Sequence, residues 1–130
     1  MIPIVHHPAY VAPARPGNAY RWNKNGLIRD LVAASGVGVR WIAPSAMPRR
    51  WLEAVHCPVY VAEVLEARVP TAKVRRIGFD VTPPVARRAQ MVPGGTYAAG
   101  LAALEHGYAA NSAGGSHHAL HDTGAGYCVF

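Results

Sequence analysis

The sequence predicts a parallel α/β fold with helices on both faces of the sheet, and three observations carry that expectation. Short apolar strand candidates alternate with helical segments, no tight hairpin signal separates two strand candidates, and 130 residues with 51% apolar content suffice to bury one core. One domain spanning 1–130 is therefore expected.

The elements follow in chain order. IPIVHHPAYV is apolar and β-rich up to Pro8 and reads as a buried first strand; prolines and a glycine in APARPGNAYRW then make a loop. In NGLIRDLVAASG, Leu27, Ile28, Leu31 and Val32 recur on one helical face, and Gly36 supplies the stop. VGVRWIAP (37–44) is a short strand candidate. PRRWLEAVH places Trp51, Leu52 and Val55 on one face, and Pro58 restarts a helix through Val61, Val64 and Leu65. Trp51, Tyr60 and Met91 are expected to pack in the core. Thr82 and Pro83 are a helix N-cap and first residue, and Pro93 is expected to kink or divide the helix that follows, because it lacks an amide proton and clashes with the preceding turn. The helix ends at Gly107, and YAANSAGG is a small-residue strand leading to His117 and His118.

Charge and composition narrow the function. Thirteen Lys and Arg against seven Asp and Glu give a net charge of +6. The basic residues fall in scattered pairs (Arg49-Arg50, Arg75-Arg76, Arg87-Arg88) that read as a solvated face; no specific nucleic-acid partner is expected. No run is long and apolar enough for a membrane span, and MIPIVHHPAY lacks the pattern of a signal peptide, so a cytoplasmic location and no membrane partner are expected. Cys57 and Cys128 form no CxxC pair and speak against cysteine-based zinc binding.

In an open parallel sheet, ligands bind beyond the carboxyl ends of the strands. A strand that runs into Gly114-Gly115-Ser116-His117-His118 brings two imidazoles to that end, where they are suited to proton transfer near neutral pH. Two loop histidines satisfied by backbone partners would give the same pattern. His117, His118, His121 and Asp122 also offer metal ligands within six residues, with His6 and His7 at another strand end, but nothing in the sequence orients them and no metal is expected to be held.

GGSHHALHDTGAGYCVF resembles the G-G-x-H-H-A and G-[FY]-C motifs of the zinc-dependent histone deacetylase family, closest to its bacterial and class IV branch. YAAGLAALEHGYAANSAGGSHHA is similar to the long helix and following strand of that family, and RRIGF, VHCPVYV and PIVHHPAY fall in its order. The resemblance implies an incomplete three-layer αβα fold of the arginase/deacetylase type. It implies hydrolysis of acyl-lysine or a related acylated amine by a zinc-activated water, with His117 and His118 as the catalytic proton-transfer pair. Gly126 and Tyr127 would line the substrate tunnel, and Cys128 would be a wall residue. The zinc ligands of the family, an Asp-x-His pair and a further Asp, have no counterpart here, so the chain alone is expected to be inactive. Asn18-Ala19-Tyr20-Arg21-Trp22-Asn23-Lys24 replaces the H-R-F-P-M-x-K pattern of bacterial members, with Arg21 the nearby, unaligned candidate for the channel arginine.

These readings lead to two expectations. One is the N-terminal portion of a deacetylase, interrupted inside a motif at Val129-Phe130. The other is a naturally short, non-catalytic remnant that acts as a basic binding module. Either would leave apolar faces and a strand edge near 109–112 open to self-association.

Overall fold

The apolar opening run forms strand β1 (Ile2–Val5), the central member of a parallel three-stranded sheet flanked by β2 (Val39–Ile42) and β3 (Ala110–Asn111). The computed structural model describes residues 1–13, 16–17 and 21–130. The loop reading over Ala14, Arg15 and Asn18-Ala19-Tyr20 lies outside these described residues. Pro3 is tolerated in the central strand for a geometric reason. The amides of Ile2 and His6 donate to the carbonyls of Gly38 and Ile42 on the β2 side, whereas the Val5 carbonyl accepts from Ser112 on the other. The missing proton of Pro3 therefore faces the β3 side, below the Ile4–Ala110 pair where β3 pairing begins, and no ladder bond is lost. Val5 and Pro3 are fully buried, but Ile2 is exposed.

Among the described residues, five helices connect and cover the strands: α1 (Asn23–Ala34), α2 (Arg49–Glu53), α3 (Pro58–Leu65), α4 (Thr71–Ile77) and α5 (Pro83–His106). A 3-10 turn, Pro8–Tyr10, follows β1 and is capped by the His7 side chain, which accepts from the Ala9 amide. α4 lies between Pro70 and Gly78, a stop-start pair the periodicity reading passed over. α5 begins as expected, with Thr82 Oγ1 accepting from the Val85 amide.

Three expectations need correction. Pro93 does not divide α5, which runs continuously from Pro83 to His106. The neighbouring helix surface is clamped instead: the Met47 amide donates to the Gln90 carbonyl, Gln90 Nε2 donates back to Met47, and Gly94 lets the Ser45 carbonyl approach to where a Cβ would lie 2.0 Å away. The apolar face of α1 is not in the core; Leu27, Ile28 and Leu31 are exposed. The helix is anchored by its opposite side, where buried Asn25 donates to the Tyr10 carbonyl and Gly26 meets Val11. Periodicity identifies an apolar face but not what covers it. Trp51 and Val55 are likewise exposed, and of that face only Leu52 is buried.

The main core joins α3, α4 and α5 to the end of the chain. Tyr60, Val61, Val64 and Ile77 are fully buried and pack with Trp22, Phe79, Val85, Val129 and Phe130. A smaller cluster of Tyr10, Met91 and Val92 sits beside it. Tyr60 and Met91 thus pack as the sequence suggested. None of the described helices is long and apolar enough to cross a membrane.

Candidate functional site

The segment after β3 is shaped by Asn111 and Gly114. The Asn111 side chain donates to the Val92 carbonyl, Thr96 Oγ1 and the Gly114 carbonyl, while Gly114, at φ +69°, receives the chain reversal that only glycine adopts without strain. His117 and His118 follow with ring centroids 4.0 Å apart and planes tilted by 41°. His117 is exposed and His118 half-buried.

The Gly126–Tyr127 turn comes from the other side. Ala125 and Cys128 form an antiparallel bridge, and the amides of Gly126 and Tyr127 donate to the carbonyls of Arg76 and Ile77. Those carbonyls belong to the last turn of α4 and have no partner within that helix, so the turn satisfies them. Gly126 has φ +52°, and a Cβ on it would lie 2.7 Å from His118 Cε1; its bare backbone is the floor on which the His118 ring rests. Tyr127 is held at φ +65°, an uncommon conformation for an aromatic residue. Its ring stacks on Phe79 at 6.2 Å with 6° between planes and passes over Gly78, where a Cβ would lie 2.8 Å from Tyr127 Cε1. One face of Tyr127 is thereby used within the fold, and the side chain remains partly exposed.

Cys128 is buried, and its Sγ lies 3.4 Å from His118 Nδ1. The fold thus sets an imidazole beside this thiol, ten residues away along the chain. Among the described residues, the donor atoms of His117, His118 and Cys128 lie within 4.8 Å of one another. The other histidines are placed elsewhere. His121 and Asp122 are exposed and outside that group, His7 caps the 3-10 turn, and His6 Nδ1 is 2.8 Å from Ser112 Oγ. Burial, followed by the Arg29 guanidinium and His7, holds His6 below its ordinary value of 6.5, with Asp30 opposing. Arg21 is exposed.

Two anchors beneath the site were not legible. His56, buried in α2's trailing turn, donates from Nδ1 to the Leu120 carbonyl at 2.7 Å, and the Cys57 amide donates to His121. Tyr60 donates to the Val129 carbonyl, and burial raises its phenol well above the usual range. Both residues pack on Phe130. A mainly apolar cavity of about 420 Å³ opens beside this core, walled by Trp22, Phe79, Tyr127 and Phe130 and reached by Ser116. Arg88 also lines it. Arg88 Nε donates to the Tyr10 carbonyl and its guanidinium lies 5.3 Å over the Trp22 ring, so the solvated-face reading, true of exposed Arg87, fails for its neighbour.

The donor set does not fit the family's zinc. No Asp-x-His pair occurs in these 130 residues, and the close donors are two imidazoles and a thiol rather than carboxylates. The remaining elements do match a known family. The histone deacetylase domain is matched over residues 15–130. An uncharacterized protein of Picosynechococcus sp. is 36% identical over 129 residues, which cover 98% of this chain and 43% of that protein. The chain thus spans less than half the length of that curated relative. With a parallel α/β sheet, a glycine-led histidine pair and a Gly-Tyr-Cys turn in the order of the family, this chain belongs to the histone deacetylase family.

Proposed function

We propose that these residues form the proton-transfer and tunnel-wall half of a zinc-dependent amide hydrolase that removes acyl groups from lysine side chains or related amines. The observation that carries this reading is the juxtaposition of the two imidazoles, 4.0 Å apart, with the Gly126–Tyr127 turn on which one of them rests. Paired imidazoles divide the labour that amide hydrolysis needs: one accepts a proton from the attacking water, and the same ring or its neighbour returns a proton to the departing amine. Tyr127, partly exposed and stacked on Phe79, offers an aromatic surface for the methylenes of an acylated side chain. The Asp-x-His pair that holds zinc in the family is not among these 130 residues. Acylated proteins or acylated amines are the partners of this reading, and a cytoplasmic site of action accords with a free, buried Cys128.

The test is deacylation of acetyl-lysine peptides by the product of the complete reading frame that encodes this chain. His118→Ala is expected to lower kcat by about 10²–10⁴-fold with little change in KM. Equal activity in the wild type and in both His117→Ala and His118→Ala would overturn the proton-transfer role. The exposed side chains of Leu27, Leu31, Leu101 and Leu104 favour one second reading, a non-catalytic basic binding module that self-associates through its apolar faces. A reading frame that stops after Phe130, with a folded product inert towards every acyl-lysine peptide, would establish it in place of the first.

A further inference from the structure

We propose that His117, His118 and Cys128 bind a borderline transition-metal ion, with Zn²⁺ as the reference species. Zn–N bonds of about 2.0 Å and Zn–S bonds of about 2.3 Å at tetrahedral angles put nitrogen and sulfur donors about 3.5 Å apart and two nitrogen donors about 3.3 Å apart. His118 Nδ1 and Cys128 Sγ already stand at 3.4 Å. The whole trio lies within 4.8 Å, so His117 has to close by at most about 1.5 Å to complete three ligand positions. It sits on the exposed segment where such a shift meets least resistance.

The two fixed donors are held from below. Cys128 is buried and its backbone is paired with Ala125, while the His118 ring lies over bare Gly126, where a side chain would displace it. Solvent on the His117 side leaves the fourth tetrahedral position to water. Thiolate with imidazole selects Zn²⁺ or Cu⁺ over Mg²⁺ or Ca²⁺, which prefer oxygen. On binding, the Cys128 thiol loses its proton to solvent and a sulfur lone pair forms the metal–sulfur bond. Each imidazole donates a ring-nitrogen lone pair while neutral, His118 keeping its proton on Nε2. No electron is transferred, and about one proton is released per ion. Binding stands on this geometry alone. If the imidazoles also serve proton transfer as proposed above, an ion held here withdraws both and inhibits.

The experiment titrates the chain with Co²⁺ as a spectroscopic probe and displaces it with Zn²⁺. The expected result is a near-ultraviolet thiolate-to-cobalt charge-transfer band with intense tetrahedral d–d absorption, retained in Cys57→Ser and lost in Cys128→Ser. Zn²⁺ binding should weaken at least about tenfold in Cys128→Ser and in His118→Gln, and stay unchanged in His121→Gln. Circular dichroism verifies that each variant is folded. A wild-type spectrum with no thiolate band overturns the proposal without recourse to any variant. So does a band that survives Cys128→Ser, or a loss in His121→Gln as large as in His118→Gln.

Discussion

Residues 114–122 and residues 123–130 build the same site in opposite ways. In the first segment Gly115, Ser116, His117, Ala119, His121 and Asp122 are exposed, and the backbone is tied down mainly at its ends, by Asn111 and by the His56–Cys57 clip. In the second, Thr123, Cys128, Val129 and Phe130 are buried, and the turn is bonded to α4 and to Tyr60. The contrast teaches where preorganisation resides. The wall and the floor beneath His118 are set by the core, whereas His117 keeps the freedom to adjust to whatever it meets.

Substitutions at glycines separate the two regimes. Gly124→Ala should have the largest effect, because its Cβ would lie 2.4 Å from the Cys128 carbonyl oxygen, 2.7 Å from Ile77 Cγ1 and 2.8 Å from the Tyr60 hydroxyl. A loss of about 3 kcal/mol in urea denaturation is expected, and a wild-type midpoint would show that the turn is not fixed by the core. Gly126→Ala combines a positive φ with a clash against His118. It should cost about 1–2 kcal/mol and shift the His118 imidazole resonances, and unmoved resonances would break the link between floor and ring. Gly115→Ala meets nothing within 4 Å and should stay within about 0.5 kcal/mol of wild type.

The smallest effect is one of pH at the head of the sheet. His6 is held low by its burial and by Arg29 and His7, against Asp30, with Ser112, Tyr10 and Trp41 also beside its ring. The unfolded chain therefore binds the extra proton first, so stability is full above about 6.5 and declines as pH falls below it. His6→Gln should flatten that decline relative to wild type in melts between pH 7 and 5. Parallel curves would remove His6 from the account.

The order of elements was largely legible. Apolar runs bounded by proline or glycine located β1, α1, α3 and the start of α5, because caps and periodicity are local properties. The motif also pointed to His117, His118, Gly126 and Tyr127, and the fold brings the histidine pair against that turn. What periodicity could not reveal was the neighbour of each face. Leu27, Ile28, Leu31, Trp51 and Val55 satisfy a helical pattern yet lie exposed, whereas Arg88, read as part of a solvated face, lines the cavity together with His56, to which periodicity assigned no place.

The sequence by itself determined the parallel α/β plan, the histidine pair and its glycines, since each depends on steric and hydrogen-bonding rules that act within a few residues. Only the tertiary structure decided that Gly126 underlies His118, that α4's last carbonyls hold the Tyr127 turn, and that Cys128 meets an imidazole. These contacts join residues far apart along the chain. Their geometry follows from how close-packed elements exclude one another, which no local pattern encodes.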